Sequence, residues 1–502
     1  MSMSVDQRPN NANIHGAFEQ LMFSISSTEQ ASTSPAYYRF RYICDMYVGG
    51  NLKARVKVYP NQNGQGIFRV DRLIQDFLSC TKADQNVTED DFFTSTIHNL
   101  GANSTSKIFS VNNGENYRKV EFKFGQEYSS STTTDPTIYA DVITGEYVSV
   151  IMSAGWSRQM TTTQQTWDTG IPYWNINEGW IDTRYVLTDY GNAFLTDRFT
   201  ASSGTTQTLG TTKRELIKVQ RNGYYTFGFI AEGAAPGGST IQSMYVCAYN
   251  SSNSLLASHH FILGTDGGTA VASVNQDHER LQYFGCGPAQ MSKQTIDTGL
   301  KNAFNAGTVA YYEVMALNDT TSTPTGFSDA SLVSILYRFE IQDCTSIYQD
   351  GNQPVTIAWQ NSLGSWDYQD FILRKNDSMS VKRKTFKQVQ GNWDTAFANQ
   401  FWNFRGDEGG ERVIKTDATK QMTLTTDLLS ENDVDILESI MLSPQVYLLA
   451  ASGGAGVTPI IVTDTNFVRK SSLNERSPFL YQLKFKYAHN RPVTKAGTFT
   501  YS

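Results

Sequence analysis

Residues 359–371 read WQNSLGSWDYQDF, with two tryptophans, a tyrosine and a phenylalanine around Asn361-Ser362-Leu363-Gly364. Such an aromatic stretch either grips a ligand or forms the fabric of a β-hairpin. Its flanks favour the hairpin. VTIAW before the turn and YQDFILRK after it both have strand character, and Asn-Ser-Leu-Gly is turn chemistry. Trp359 and Trp366 then flank the turn, placed to meet across the ladder as an aromatic pair. On this reading they are scaffold residues.

The surrounding unit, residues 336–502, reads as a β domain. It opens with LYRFEIQDC (336–344) and continues through MTLTTD, PQVYLLA, TPIIVTD and FLYQLKFKYA. In the last of these, Leu483, Phe485 and Tyr487 alternate with Lys484 and Lys486, which is strand periodicity. A short amphipathic helix is expected near 431–442, capped by Ser430 and stopped before Pro444. VKRKTFK, 381–387, reads as a solvated strand face, with contact to an acidic neighbouring subunit as the alternative.

Upstream, residues 1–16 read as a flexible N-terminal arm, followed by a β domain over 17–205. Its clearest hairpin is YYRFRYICDMYVGGNLKARVKVY (37–59), with Gly49-Gly50-Asn51 as the turn and basic residues alternating with apolar ones. Val70, Leu73, Ile74 and Phe77 have helical spacing, giving a short helix near 70–79. KVEFKFGQEY (119–128) is another alternating strand. Residues 206–335 carry ELIKVQ, YYTFGFIAE, SMYVCAYN, HHFILG and TVAYYEVMAL, short strands between Gly/Ser turns, as in a sandwich. The expected fold class is therefore mainly β: several β-sandwich-like domains with two short amphipathic helices and long loops. A weak internal echo links Tyr38-Arg39-Phe40 with Tyr337-Arg338-Phe339.

Composition bounds the function. Of 502 residues, only 18% are charged and 12% are aromatic, which suits pleated, half-buried surfaces and subunit contacts. The net charge of −7 argues against a general nucleic-acid binder. The five cysteines are scattered and form no C-x-x-C pair, so reduced, buried thiols are expected rather than disulfides or zinc. MSMSVDQRPNNANIH lacks the apolar core of a signal peptide, and no long apolar run predicts membrane insertion. The six histidines show no metal spacing. His259 and His260 are neighbours and point apart in any regular element, and Asp277-His278-Glu279 has no nucleophile context. GAAPGGST (233–240) and ASGGAGVTP (451–459) lack the Gly-Lys-Ser/Thr of a phosphate loop. No catalytic residue, cofactor or metal site is expected. WDTGIPYWNINEGWID (167–182) supplies Trp167, Trp174 and Trp180 as candidate ligand or subunit contacts. They either stack on a host-surface glycan, touch another subunit, or pin a long loop to its own domain.

Several phrases taken together resemble virion structural proteins of tailed bacteriophages, chiefly of tail or baseplate type. They are YICDMYVGGNLKARVKVYPNQNGQGIF, GNAFLTDRF, VTIAWQNSLGSWDYQDFILRKNDS with VKRKTFK, LLSENDVDILESIMLSPQVYLLA, TPIIVTDTNF and YQLKFKYAHN. The resemblance implies a non-enzymatic subunit made in the host cytoplasm and built into the virion. It would form a symmetric homo-oligomer touching other phage structural proteins. The alternatives are a host-surface carbohydrate-binding adhesin and a neck or head-appendage protein.

Overall fold

The computed structural model describes residues 2–9, 14–17, 21–30, 37–78, 98, 100, 107–111, 116–151, 186–188, 190, 217–231, 240–268, 270, 280–324, 331–334, 336–342, 354–361, 363–394, 401–403, 410–426, 434–449, 457–466, 468 and 480–488. The chain is mainly β, arranged in several sheets with few short helices.

The first core is built on the glycine-turned hairpin. β4 (Tyr38–Val48) and β5 (Asn51–Val58) are joined by Gly49 and Gly50, at φ 59° and 76°. Two successive positive-φ residues match the twist of a hairpin, and glycine enters them without strain. The pair belongs to a five-stranded sheet ordered β2 (Ile14–Gly16), β9 (Thr137–Ile151), β8 (Tyr117–Ser129), β4, β5. A three-stranded sheet of β1 (Met3–Gln7), β3 (Met22–Ser27) and β6 (Gly66–Arg69) packs against its dry face. Phe23 lies 5.3 Å from Phe122 and 5.0 Å from Phe124, ring centre to ring centre. The wet face carries the alternating charges as ion pairs, Arg55 with Asp45 at 2.6 Å and Arg41 with Glu127 at 2.7 Å. The helix expected near 70–79 is α1 (Asp71–Gln75), which buries Ile74 in this core beside Val70.

The N-terminal segment departs from the expectation of a flexible arm. β1 pairs antiparallel with β3, and β2 pairs parallel with β9. Met3 and Val5 alternate with polar neighbours and lean on the first core. Two apolar side chains at period two suffice when a partner strand is in place, and overall polarity concealed them.

The second core joins three sheets. One is ordered β10 (Val186–Leu187), β12 (Thr226–Ile230), β15 (Leu281–Gly285), β7 (Phe109–Val111). Another is ordered β11 (Ile217–Gln220), β17 (Tyr337–Gln342), β16 (Tyr311–Leu317), β13 (Ser243–Tyr249), β14 (Leu255–Ile262). The third has seven strands: β19 (Trp366–Phe371), β18 (Val355–Gln360), β24 (Val446–Leu449), β25 (Val457–Val462), β26 (Gln482–Tyr487), β23 (Gly410–Thr425) and β20 (Lys375–Gln388). β21 (Asn392–Asp394) and β22 (Phe401–Asn403) pair separately.

One hydrophobic cluster runs through all three of these sheets. The expected boundaries near 205 and 335 therefore do not separate cores. β17 begins just past the second boundary, yet pairs in parallel with β11 and antiparallel with β16. Parallel strands need a long crossover, so no local pattern marks their pairing. The Tyr-Arg-Phe echo also parts company here. Arg39 is exposed at φ 54°, whereas Arg338 is buried against Glu313.

The helix expected near 431–442 is described as α4 (Val434–Leu442), burying Ile436, Leu437 and Ile440. Two further helices, α2 (Pro288–Lys293) and α3 (Thr298–Asn305), lie between HHFILG and TVAYYEVMAL, where no helix is expected. Their signals are ordinary: Pro288 at a first helical position, and Asp297 Oδ1 accepting from the Leu300 amide at 2.6 Å.

Candidate functional site

The quoted hairpin forms, with its tip inside the protein rather than at a surface. Asn361 and Ser365 are fully buried, and Leu363 nearly so. Asn361 organises the loop. Its Oδ1 accepts from the amides of Leu363 (3.1 Å) and Ser365 (2.9 Å), while its amide donates to the Ser365 carbonyl at 2.8 Å. Gly364 takes φ 86°, the left-handed position such a loop requires.

This loop corrects the expected tryptophan pair. The ladder matches Trp359 with Asp367 and Gln360 with Trp366. Because the Asn361–Ser365 closure leaves a three-residue loop, the register sits one residue away from a Trp–Trp match. A one-residue shift sends a side chain to the opposite face. Trp359 Nε1 donates to Ser439 Oγ on α4 at 3.0 Å. Trp366 meets His98 edge-on at 4.8 Å and Tyr447 at 5.5 Å. Both tryptophans are core residues, buried to at least 99%.

The seat around the tip is polar and spans the chain. Thr188 Oγ1 donates to Asp367 Oδ1 at 2.6 Å, and Asn361 Nδ2 donates to the Leu187 carbonyl at 2.9 Å. Tyr190 Oη donates to the Tyr368 carbonyl at 2.6 Å, and Asn116 Nδ2 donates to the Gly364 carbonyl. His98 Nδ1 lies 2.8 Å from Tyr368 Oη. Burial pushes the His98 pKa down to about 3, so its ring is neutral at ordinary pH. Gly228 on β12 makes room for Ser365, since a Cβ there would come within 1.9 Å of Ser365 Oγ. Sequence reasoning did not find His98, Asn116, Thr188 or Asp367. Their partners lie far off in the chain, and nothing local distinguishes them from loop residues.

Asp370 clamps this hairpin to β11. It accepts from the Gln220 amide at 3.0 Å and from Thr356 Oγ1. Burial nevertheless pushes its carboxyl up to about 6, while the two donors pull the other way. An unfolded aspartate titrates near 3.9. Between about pH 4 and pH 6 the folded protein holds a proton that the unfolded chain has released. This contribution is complete below pH 4, is lost as pH rises through 6, and amounts to about 3 kcal/mol. The stability of the native protein relative to an Asp370→Asn variant should fall by that amount across this window in urea unfolding. A difference independent of pH would contradict the assignment.

The other sequence candidates separate cleanly. Trp167, Trp174 and Trp180, GNAFLTDRF and Asp277-His278-Glu279 lie outside the described residues. His259 and His260 point apart: His259 Nδ1 is 3.5 Å from Asp297 Oδ2, and His260 stacks on Tyr245 at 4.2 Å. Cys44, Cys247 and Cys286 are free, buried thiols. Among the described residues no three His, Cys, Asp or Glu side chains converge as a metal site, and no helix is long and apolar enough to cross a membrane.

VKRKTFK lies on β20, and its side chains are mostly exposed. β20 and β23 remain paired from Lys375↔Leu424 out to Gln388↔Gly410, while β26 supports β23 only over Gln421–Thr425. Beyond that point the ladder is a two-stranded ribbon with no third strand beside it among the described residues. No protein-family model matches the chain, and a comparison with curated proteins returns no match.

Proposed function

We propose that the chain is a non-enzymatic structural subunit of a tailed-bacteriophage virion, of tail or baseplate type, that self-associates in a symmetric ring and contacts other virion proteins. The observation that carries this reading is where the phage-like phrases fall. YICDMYVGGNLKARVKVY forms β4 and β5, VTIAWQNSLGSWDYQDF forms the buried hairpin, and VKRKTFK lies on the two-stranded ribbon. These are scaffold strands and a two-stranded edge, the parts an assembly protein uses to keep its shape and meet its neighbours. Mass spectrometry of purified virions tests the reading. The chain is expected at many copies per particle, and its absence from the particle would sink the proposal.

A further inference from the structure

The two-stranded ribbon has the wrong properties for a free-standing element. Over Met379–Gln388 and Gly410–Lys420 it has no third strand among the described residues, and it reaches about 33 Å at 3.3 Å per residue. A lone two-stranded hairpin is marginal in water. This one nevertheless exposes Met379 (58%), Phe386 (39%), Val413 (40%) and Ile414 (52%). Ile414 is the extra residue of a bulge, opposite the step from Lys384 to Thr385. Among the described residues, no strand covers the outer edge of β20, or β23 beyond Gln421. Such edges accept another chain.

Charge indicates what that chain is. The ribbon holds seven cations, Lys382, Arg383, Lys384 and Lys387 among them, against only Glu411 and Asp417, a net of +5. The residues 389–409 that join its strands carry −2, so 379–420 carries +3 and the rest of the −7 chain carries −10. Lys384 stands directly opposite Lys415, a like-charge pair that destabilises an isolated ladder, although Lys415 also reaches Asp417 at 2.9 Å. An acidic surface laid along the ribbon relieves this repulsion and covers the apolar side chains.

We infer that the β20–β23 ribbon is the self-association arm of this protein and docks on the acidic body of a second copy. The inference deepens the proposed ring assembly and rests on that reading. A nucleic acid would also meet a basic ribbon, but the −10 remainder of the chain would repel it.

Sedimentation velocity of the full-length protein at low and high salt tests the arm. The native chain is expected to self-associate, more weakly at high salt. Two variants follow. One is Lys382→Glu/Arg383→Glu/Lys384→Glu. The other joins Ser378 to Gln421 through Asn-Gly, deleting the ribbon and keeping its base on β26. Each should weaken association by about tenfold or more, with the thermal transition of the body unchanged. A monomeric native chain, or association equal to native in a folded ribbon-deleted protein, would overturn the inference. So would duplex DNA binding that the charge reversal abolishes while association persists. The virion measurement is independent. A particle containing the chain while ribbon deletion leaves association intact overturns the arm alone, and a particle lacking the chain overturns the virion reading.

Discussion

Replacing Trp366 by alanine is expected to destabilise the second core by about 3–5 kcal/mol, the range for deleting a large buried aromatic side chain. The ring is 1% exposed and lies between His98 and Tyr447, beside a loop held by the hydrogen bonds of Asn361. The seat is fixed from Asn116, just before β8, from Thr188 and Tyr190, and from Gly228 on β12, so it has little freedom to collapse into the void. Urea unfolding should show the loss directly. Trp359→Phe, which keeps most of the volume and gives up the bond to Ser439, should lose only about 1 kcal/mol. A Trp366→Ala protein of native stability that failed only in ligand binding would show that the stretch is a binding surface after all.

The second large effect concerns the buried ion pair of β16 and β17. Arg338 Nε donates to Glu313 Oε1 at 2.8 Å, and the guanidinium lies 4.6 Å from the centre of the Tyr311 ring. Glu313 is fully buried and Arg338 nearly so. Arg338→Met removes the countercharge and leaves a carboxylate in the interior, at an expected loss of about 3–5 kcal/mol. The double variant Arg338→Met/Glu313→Leu should regain most of it, because well-packed apolar residues often replace such a pair with little change. Equilibrium unfolding of the native chain, both single variants and the double closes the cycle. A double variant no more stable than Arg338→Met would show that the loss came from packing on Tyr311 rather than from the orphaned charge.

These two sites show how far local pattern reaches. Sequence by itself determined the material: alternation gave the strand character of 38–58, 119–128 and 482–487, Gly49-Gly50 gave the hairpin, and Val70 with Ile74 marked α1. It also determined that 359–371 is a hairpin, because strand flanks around an Asn-to-Gly turn are a local signal. α2 and α3 were equally legible through Pro288 and Asp297, and were lost only among longer irregular neighbours. Tertiary structure decided everything that depends on register or distance along the chain. The Asn361 closure moved the ladder by one residue and sent the two tryptophans to opposite faces. The parallel pairing of β11 with β17 merged two expected domains into one core, and β3 and β9 turned an expected arm into sheet. The same holds for charge. Arg39 and Arg338 occupy the same tripeptide, yet one is exposed and the other buried, because only the partner strand supplies Glu313. Period-two and turn signals are properties of a few adjacent residues, whereas burial of a polar group is set by partners that the chain brings together only on folding.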